Sequence, residues 1–236
     1  MEVVDAPAKL TLSLRITGVR EDGYHLIDAE MVSLDVCDTL TFSAGDGLEV
    51  VKAPNAPTGD DNLVRRALVA VGRTAHVRLD KRIAPGAGLG GGSADAAAVF
   101  RWAGCDDLDL AASIGADVAF CVVGGRARVT GVGERVEPLP FVARTVTLLT
   151  PPVFCSTPAV YRAWDDLGGP RAGGPNDLEP AALLVEPELG EWRDRLAGAT
   201  GVRPQLAGSG STWFVEGEFP GAGRVIARTV EPHPAP

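Results

Sequence analysis

Between Pro85 and Ser93 the chain reads P-G-A-G-L-G-G-G-S, placing Gly86, Gly88, Gly90, Gly91 and Gly92 in one short stretch. Backbone without Cβ atoms lets successive N–H groups approach a ligand closely. The run Ala94 to Ala103 that follows is rich in alanine, so it should be a helix whose N-terminus attracts anions. Phosphate is the natural guest of such a loop. A Walker loop requires Lys after its last glycine, whereas Ser93 and Ala94 follow here. Gly86, Gly88 and Gly91 do satisfy G-x-G-x-x-G, with acids from Asp106 to Asp109 further on. A dinucleotide fold, however, leads into that motif with a fully buried parallel strand, and His76 to Ile83 carries Arg78, Asp80, Lys81 and Arg82. As a plain strand-to-helix connection, so many glycines would cost chain entropy with no ligand to offset it.

Other residue types that carry chemistry lie far from this loop. Lys9 falls on the polar side of an alternating run, with Thr11, Ser13 and Arg15, and Asp117 ends a Gly-Ala-Asp turn before an apolar run. By themselves these read first as a solvated strand lysine and as a helix cap or turn former. Tyr24 and His25, after the turn Glu21-Asp22-Gly23, fit a hairpin tip as well as a ligand contact. Gly208, Ser209 and Gly210 make a second glycine turn. Cys37, Cys105, Cys121 and Cys155 are scattered, with no C-x-x-C pair and no histidine at metal-ligand spacing, and read as buried reduced thiols.

The elements that must position these groups follow from periodicity. Ala8 to Ile16 alternates as a half-buried strand, and Ala29 to Leu34 and Asp38 to Phe42 read as two more. A loop at Gly45-Asp46-Gly47 and a Pro-rich stretch from Ala53 to Gly59 precede an amphipathic helix over Asp61 to Gly72, capped by Asp60 or Asp61. After the glycine loop and its helix come a short helix at Leu108 to Ser113, strand character from Gly124 to Gly133, and a strand beginning in Val142 to Leu149. Gly168 to Pro175 is a loop or hinge; a helix near Glu188 to Leu196, a strand near Gln205, a strand at Thr212 to Val215 and a frayed tail from Glu231 to Pro236 complete the chain. Strand clusters separated by helices predict an α+β fold.

The 236 residues suffice for one domain or two small ones, and the formal net charge of −9 argues against nucleic acid as a main ligand. The acidic first residues and the lack of a long apolar run predict neither a signal peptide nor a membrane span, hence a cytoplasmic address.

Three segments taken together carry a resemblance: P-A-K-L-T-L at Pro7 to Leu12, P-G-A-G-L-G-G-G-S-A-D-A-A-A at Pro85 to Ala98, and L-A-G-S-G-S-T-W-F at Leu206 to Phe214. They resemble the motifs of the galactokinase, homoserine kinase, mevalonate kinase and phosphomevalonate kinase (GHMP) superfamily. Within it, R-E-D-G-Y-H at Arg20 to His25, D-N-L at Asp61 to Leu63, D-K-R-I at Asp80 to Ile83 and G-A-D-V-A-F at Gly115 to Phe120 resemble the 4-diphosphocytidyl-2-C-methyl-D-erythritol kinases. G-V-G-E at Gly131 to Glu134, T-P-A-V-Y at Thr157 to Tyr161 and N-D-L-E at Asn176 to Glu179 look like that family too.

The resemblance implies a two-domain GHMP-kinase fold, residues 1–143 and 144–236, with the active site in the cleft between them. It implies transfer of the γ-phosphoryl of ATP, with Mg²⁺, to a hydroxyl of a small substrate bearing a cytidine diphosphate, by a monomer or homodimer without nucleic acid or membrane. Lys9 and Asp117 would then be the catalytic pair, Asp accepting the alcohol's proton and Lys stabilising developing charge. Pro85, Gly86, Gly88, Leu89, Gly90, Gly91, Gly92 and Ser93 would bind ATP, Ser93 also meeting Mg²⁺, with Asn62 and Lys81 at the adenine. Thr11, Tyr24, His25, Gly208 and Ser209 would face the second substrate, Tyr24 and His25 holding cytosine. Thr11 stands where the first motif usually has Asn, which keeps a hydroxyl but loses an amide. Another small-alcohol kinase of the superfamily, or a nucleotide-binding relative without activity, shares the same motifs.

Overall fold

A computed structural model describes residues 1–52 and 58–233. The first strand, β1 (Glu2–Val19), is longer than its alternating core predicts and pairs antiparallel with β2 (His25–Ser43) across the turn at Glu21-Asp22-Gly23, where Gly23 adopts φ 86°. The two runs expected within β2 are one continuous strand. The segment between Ser33 and Cys37 is absorbed as an irregularity opposite Pro7 and Lys9, which lets pairing resume without ending the strand. On its other side β2 pairs with β4 (His76–Asp80) and β5 (Arg126–Gly131). Two shorter strands complete this six-stranded sheet: β3 (Gly47–Val51) lies parallel to β4, and β6 (Arg135–Pro138) antiparallel to β5.

Four helices share a core with this sheet: α1 (Leu63–Ala70), α2 (Gly91–Ala103), α3 (Leu108–Ile114) and α4 (Val118–Val123). Alanines let α2 sit deep, with Ala94 to Phe100 all buried beside Phe42, Val64 and Phe120. A second sheet, β7 (Thr145–Leu149), β8 (Gln205–Leu206), β9 (Trp213–Glu216) and β10 (Arg224–Arg228), is antiparallel in the order β10-β7-β9-β8. Between β7 and β8 run α5 (Thr157–Asp166), α6 (Glu179–Val185) and α7 (Glu188–Thr200). A separate apolar cluster joins the two sheets, with Ala8, Leu10, Val32 and Leu34 meeting Val146, Leu148, Phe214 and Ala227.

Register shifts between Pro7 and Lys9 and between Thr11 and Ser13 decide which way β1 faces. Simple alternation would put Leu10, Leu14 and Ile16 on one side. Instead Leu10 joins the cluster between the sheets, while Leu14 and Ile16 join the helical core, because each extra residue reverses the alternation. The same shifts turn the polar positions inward: Lys9 and Thr11 are 5% and 2% exposed, so neither is a solvated strand residue.

Other expectations need correction. The cap of α1 is Asn62, whose Oδ1 accepts the N–H of Val64 at 2.8 Å, and not Asp60 or Asp61. The apolar run Val118 to Val123, to which periodicity assigns no type, is helical. Cys37 and Cys105 are only half-buried, although all four thiols are free. The tail is docked as far as His233: Val230 N–H donates to the Ser33 carbonyl at 3.0 Å and Pro232 bridges to Gly124. Residues 53–57 of the Pro-rich stretch and 234–236 of the tail lie outside the described residues.

Candidate active site

One cavity of about 790 Å³ is lined by Lys9, Thr11, Tyr24, His25, Pro85, Gly86, Gly88, Gly90, Gly91, Gly92, Ser93, Asp117, Gly208 and Ser209. Positions spread over the whole sequence thus converge on one space. Three sequence-predicted positions are not on its wall. Leu89 is buried between the sheets, its carbonyl accepting the Lys9 N–H at 2.9 Å. Asn62 is 8% exposed and spends its side-chain oxygen on the α1 cap. Lys81 is held behind the loop by Asp38 and Asp95.

The glycine loop leads directly into α2. Gly86, Gly88 and Gly90 have φ of 75°, 75° and 65°, in the left-handed region where a side chain is strained. Backbone closes the space at Gly88, where a Cβ would stand 2.5 Å from the Gly210 carbonyl oxygen; on Gly86 it would meet the Phe154 ring at 2.6 Å, and on Gly90 it would make a tight 3.1 Å contact with Lys9 Cε. No side chain caps α2, whose N-cap is Gly90. Its first N–H groups therefore face the cavity with the positive end of the helix dipole behind them.

Lys9 Nζ lies 2.9 Å from Asp117 Oδ2 and 3.3 Å from Thr11 Oγ1, to which it donates. Asp117 stands at the N-cap of α4 but makes no capping bond there. Its carboxylate is free for Lys9 and for the cavity, to which the side chain is 30% exposed. A buried ammonium beside a partly open carboxylate can hold an alcohol, draw off its proton and stabilise negative charge developing nearby. Thr11, in the place of the amide-bearing residue, keeps contact with the lysine through its hydroxyl.

The second glycine turn braces the first. Thr212 N–H donates to the Ala87 carbonyl at 3.1 Å, and Asn176 Nδ2 donates to the carbonyls of Leu206 and Gly208 at 2.9 and 2.7 Å. Ser209 Oγ and Thr157 Oγ1 share a hydrogen bond at 2.8 Å.

A further wall comes from α5, which sequence reasoning left unassigned. His25 Nε2 lies 2.8 Å from Asp165 Oδ1, and the His25 ring is tilted against Tyr161 at 4.7 Å and edge-on to Trp164 at 5.5 Å. With the proton on Nε2 donated to Asp165 Oδ1, Nδ1 of the ring is left as an acceptor. Burial, with Asp117 nearby, raises the Tyr161 phenol above its ordinary range, so it stays protonated. A signal for this wall was present: Ser156-Thr157-Pro158 is a helix start with Pro in the first turn.

Among the described residues no group of three or more His, Cys, Asp or Glu could hold a metal ion. The cavity wall carries the carboxylates of Asp22, Asp117 and Asp165; Asp117 Oδ2 lies 3.9 Å from where a Cβ on Gly90 would stand, and the loop itself brings the Ser93 hydroxyl. So few donors beside the loop suit Mg²⁺, which keeps several waters and binds through one or two protein oxygens plus substrate phosphates.

Residues 62–125 match the model for the GHMP kinases N terminal domain. The 4-diphosphocytidyl-2-C-methyl-D-erythritol kinase of Paramagnetospirillum magneticum is 37% identical, covering 89% of this chain and 87% of the relative. That of Granulibacter bethesdensis is 36% identical over 97% and 89%. A crystal structure of 4-(cytidine 5'-diphospho)-2C-methyl-D-erythritol kinase superposes with a TM-score of 0.78 at 33% identity, covering 97% of this chain and 99% of that one. A mevalonate kinase structure at 10% identity, covering 98% and 100%, shares the fold with a TM-score of 0.61.

Proposed function

This chain belongs to the 4-diphosphocytidyl-2-C-methyl-D-erythritol kinase family of the GHMP kinases, and on that premise we propose that it transfers the γ-phosphoryl of ATP to the 2-hydroxyl of 4-diphosphocytidyl-2-C-methyl-D-erythritol. The observation that carries the reading is the buried Lys9 ammonium 2.9 Å from the partly open Asp117 carboxylate, beside the uncapped N-terminus of α2 in one cavity.

The loop from Pro85 to Ser93 holds the polyphosphate with backbone N–H groups, and the α2 dipole offsets its charge. Asp117 accepts the proton of the acceptor hydroxyl; Lys9 orients that hydroxyl and neutralises charge on the transferring group. Phosphoryl transfer asks mainly for positioning and charge stabilisation, so two side chains on a fixed loop suffice. Mg²⁺, when bound with ATP, would be held in part by Ser93 and would neutralise phosphate charge. Tyr24, His25 and Tyr161 supply aromatic faces and a ring acceptor suited to a cytosine amino group, with Asp165 fixing the tautomer. Thr11, Gly208 and Ser209 border the space between the base and the reacting hydroxyl.

In this reading residues 1–143 form one domain carrying the glycine loop and the catalytic pair. Residues 144–236 form another, carrying α5 and the second glycine turn. Among the described residues no helix is long and apolar enough to cross a membrane. With a net charge of −9, the chain suits a cytoplasmic enzyme that binds neither nucleic acid nor membrane and works as a monomer or homodimer. Purified protein supplied with Mg-ATP should release ADP only when 4-diphosphocytidyl-2-C-methyl-D-erythritol is added. Turnover with mevalonate or homoserine but not with that substrate would overturn the assignment.

A further inference from the structure

Behind the glycine loop, away from the cavity, three charged side chains are buried together. Asp38 on β2, Lys81 just after β4 and Asp95 on α2 are 0%, 8% and 3% exposed. The Lys81 ammonium contacts Asp38 Oδ2 and lies 2.7 Å from Asp95 Oδ2. The other Asp38 oxygen accepts the N–H groups of Arg82 and Ile83, the latter at 2.8 Å. Only Ala84 separates them from the loop, and Asp95 lies on the helix into which the loop runs. Lys81 Nζ comes within 3.1 Å of where a Cβ on Gly91 would stand, so the start of α2 rests on the cluster.

Buried charges are a poor means of holding a sheet to a helix, because apolar residues of the same volume do so at least as well. What the ions add is direction. Each hydrogen bond fixes an angle as well as a distance, and they act on the two ends of a segment that has little conformational preference of its own.

We propose that Asp38, Lys81 and Asp95 are positioning residues for nucleotide binding, clamping both ends of the glycine loop to β2 so that its N–H groups keep one arrangement toward the polyphosphate. This rests on the reading of that loop as the ATP site. The clamp predicts a selective defect: loosening it weakens ATP without touching the second substrate, whose contacts come from β1, the turn into β2, His25, Asp117, α5 and the second glycine turn.

Asp95→Ala cuts the link to α2 and leaves Lys81 paired with Asp38, so no charge is stranded. Burial, opposed by Lys81 and reinforced by Asp38, raises the Asp95 carboxyl to about 7, and its removal therefore relieves a disfavoured charge. ATP affinity by calorimetry, KM for each substrate, and hydrogen exchange of the Gly86 to Gly92 amides without nucleotide would be compared with wild type. Asp95→Ala should raise KM for ATP roughly fivefold or more with KM for the acceptor unchanged, and should speed exchange in the loop but not in β7 or β9. Asp95→Asn, which keeps an oxygen for Lys81, should restore most of both. Wild-type ATP affinity and loop exchange in Asp95→Ala would overturn the proposal, as would equal losses for both substrates without rescue by Asn. Failure of the wild type to bind ATP would remove the premise as well, which separates the two failures.

Discussion

Asp117 bears the most chemistry for the fewest contacts. It makes no cap, touches Lys9 and opens toward the cavity. Replacing its carboxylate by an amide of the same shape leaves the loop and α2 intact while removing the proton acceptor. Asp117→Asn should therefore bind ATP like the wild type while turnover falls by about 10² or more, the range of a positioned general base. Steady-state kinetics with parallel ATP titration checks it, and unchanged turnover would remove Asp117 from the chemistry. Lys9 and Asp117 were readable as a pair only through the motifs around them, since neither spacing nor periodicity shows that residues 108 positions apart meet. What sequence did not carry was the depth of Lys9. Its burial comes from register shifts in β1, and such shifts depend on how the partner strand is laid, which alternation within one strand does not encode.

At the scale of elements, the glycine loop is shaped by what it touches. Gly88 combines a φ of 75° with a space closed by two carbonyl oxygens of the second glycine turn, at 2.5 and 2.6 Å from a Cβ. Gly72 has a φ of 62° but nothing within 4 Å. Alanine at either site meets backbone strain of about 1–2 kcal/mol, yet only Gly88→Ala must also push the two turns apart. Gly88→Ala should raise KM for ATP by roughly tenfold or more, the equivalent of 1.4 kcal/mol, while Gly72→Ala should lower the thermal midpoint and leave KM unchanged. Equal ATP affinity in the two variants would show that the contact between the turns does not matter to binding. The loop, its following helix and the second glycine turn were all legible, because glycine clusters and alanine runs act locally. Less legible were β3, β6, β10, α5 and α6. Short strands such as Gly47–Val51 exist because a neighbour offers a ladder. Helix α5 announces itself only by the proline in its first turn, after Ser156 and Thr157, a weak local signal.

For the whole molecule, the segment from Val230 to His233 returns to the first sheet, and His233 packs against Gly124, where a Cβ would come within 2.9 Å of its ring. Burial, with a smaller contribution from Arg101, lowers the His233 pKa from 6.5 to about 4. Between those values the unfolded chain binds more protons than the folded one, so stability rises with pH across that window and is lost as pH falls through it. His233→Gln should flatten the stability profile between pH 6.5 and 4 while leaving the curve above pH 7 unchanged in slope, as measured by denaturant unfolding at a series of pH values. A profile as steep as wild type would show that the ring titrates freely. The order of strands and helices foretold the α+β class, and the resemblance the GHMP-kinase fold; the return of the tail was hidden, because no local pattern in Val230 to His233 distinguishes a docked segment from a loose one.

The bond from Thr212 N–H to the Ala87 carbonyl ties the first glycine turn to a residue made much later. During synthesis the loop leaves the ribosome bare and waits for roughly 120 more residues, on the order of 6 to 25 seconds at ordinary elongation rates, before its brace exists. Until then the loop has its clamp to β2 through Asp38, Lys81 and Asp95 but lacks the turn on which it finally rests. The glycine loop therefore reaches its final setting only after Thr212 has been made, late in synthesis.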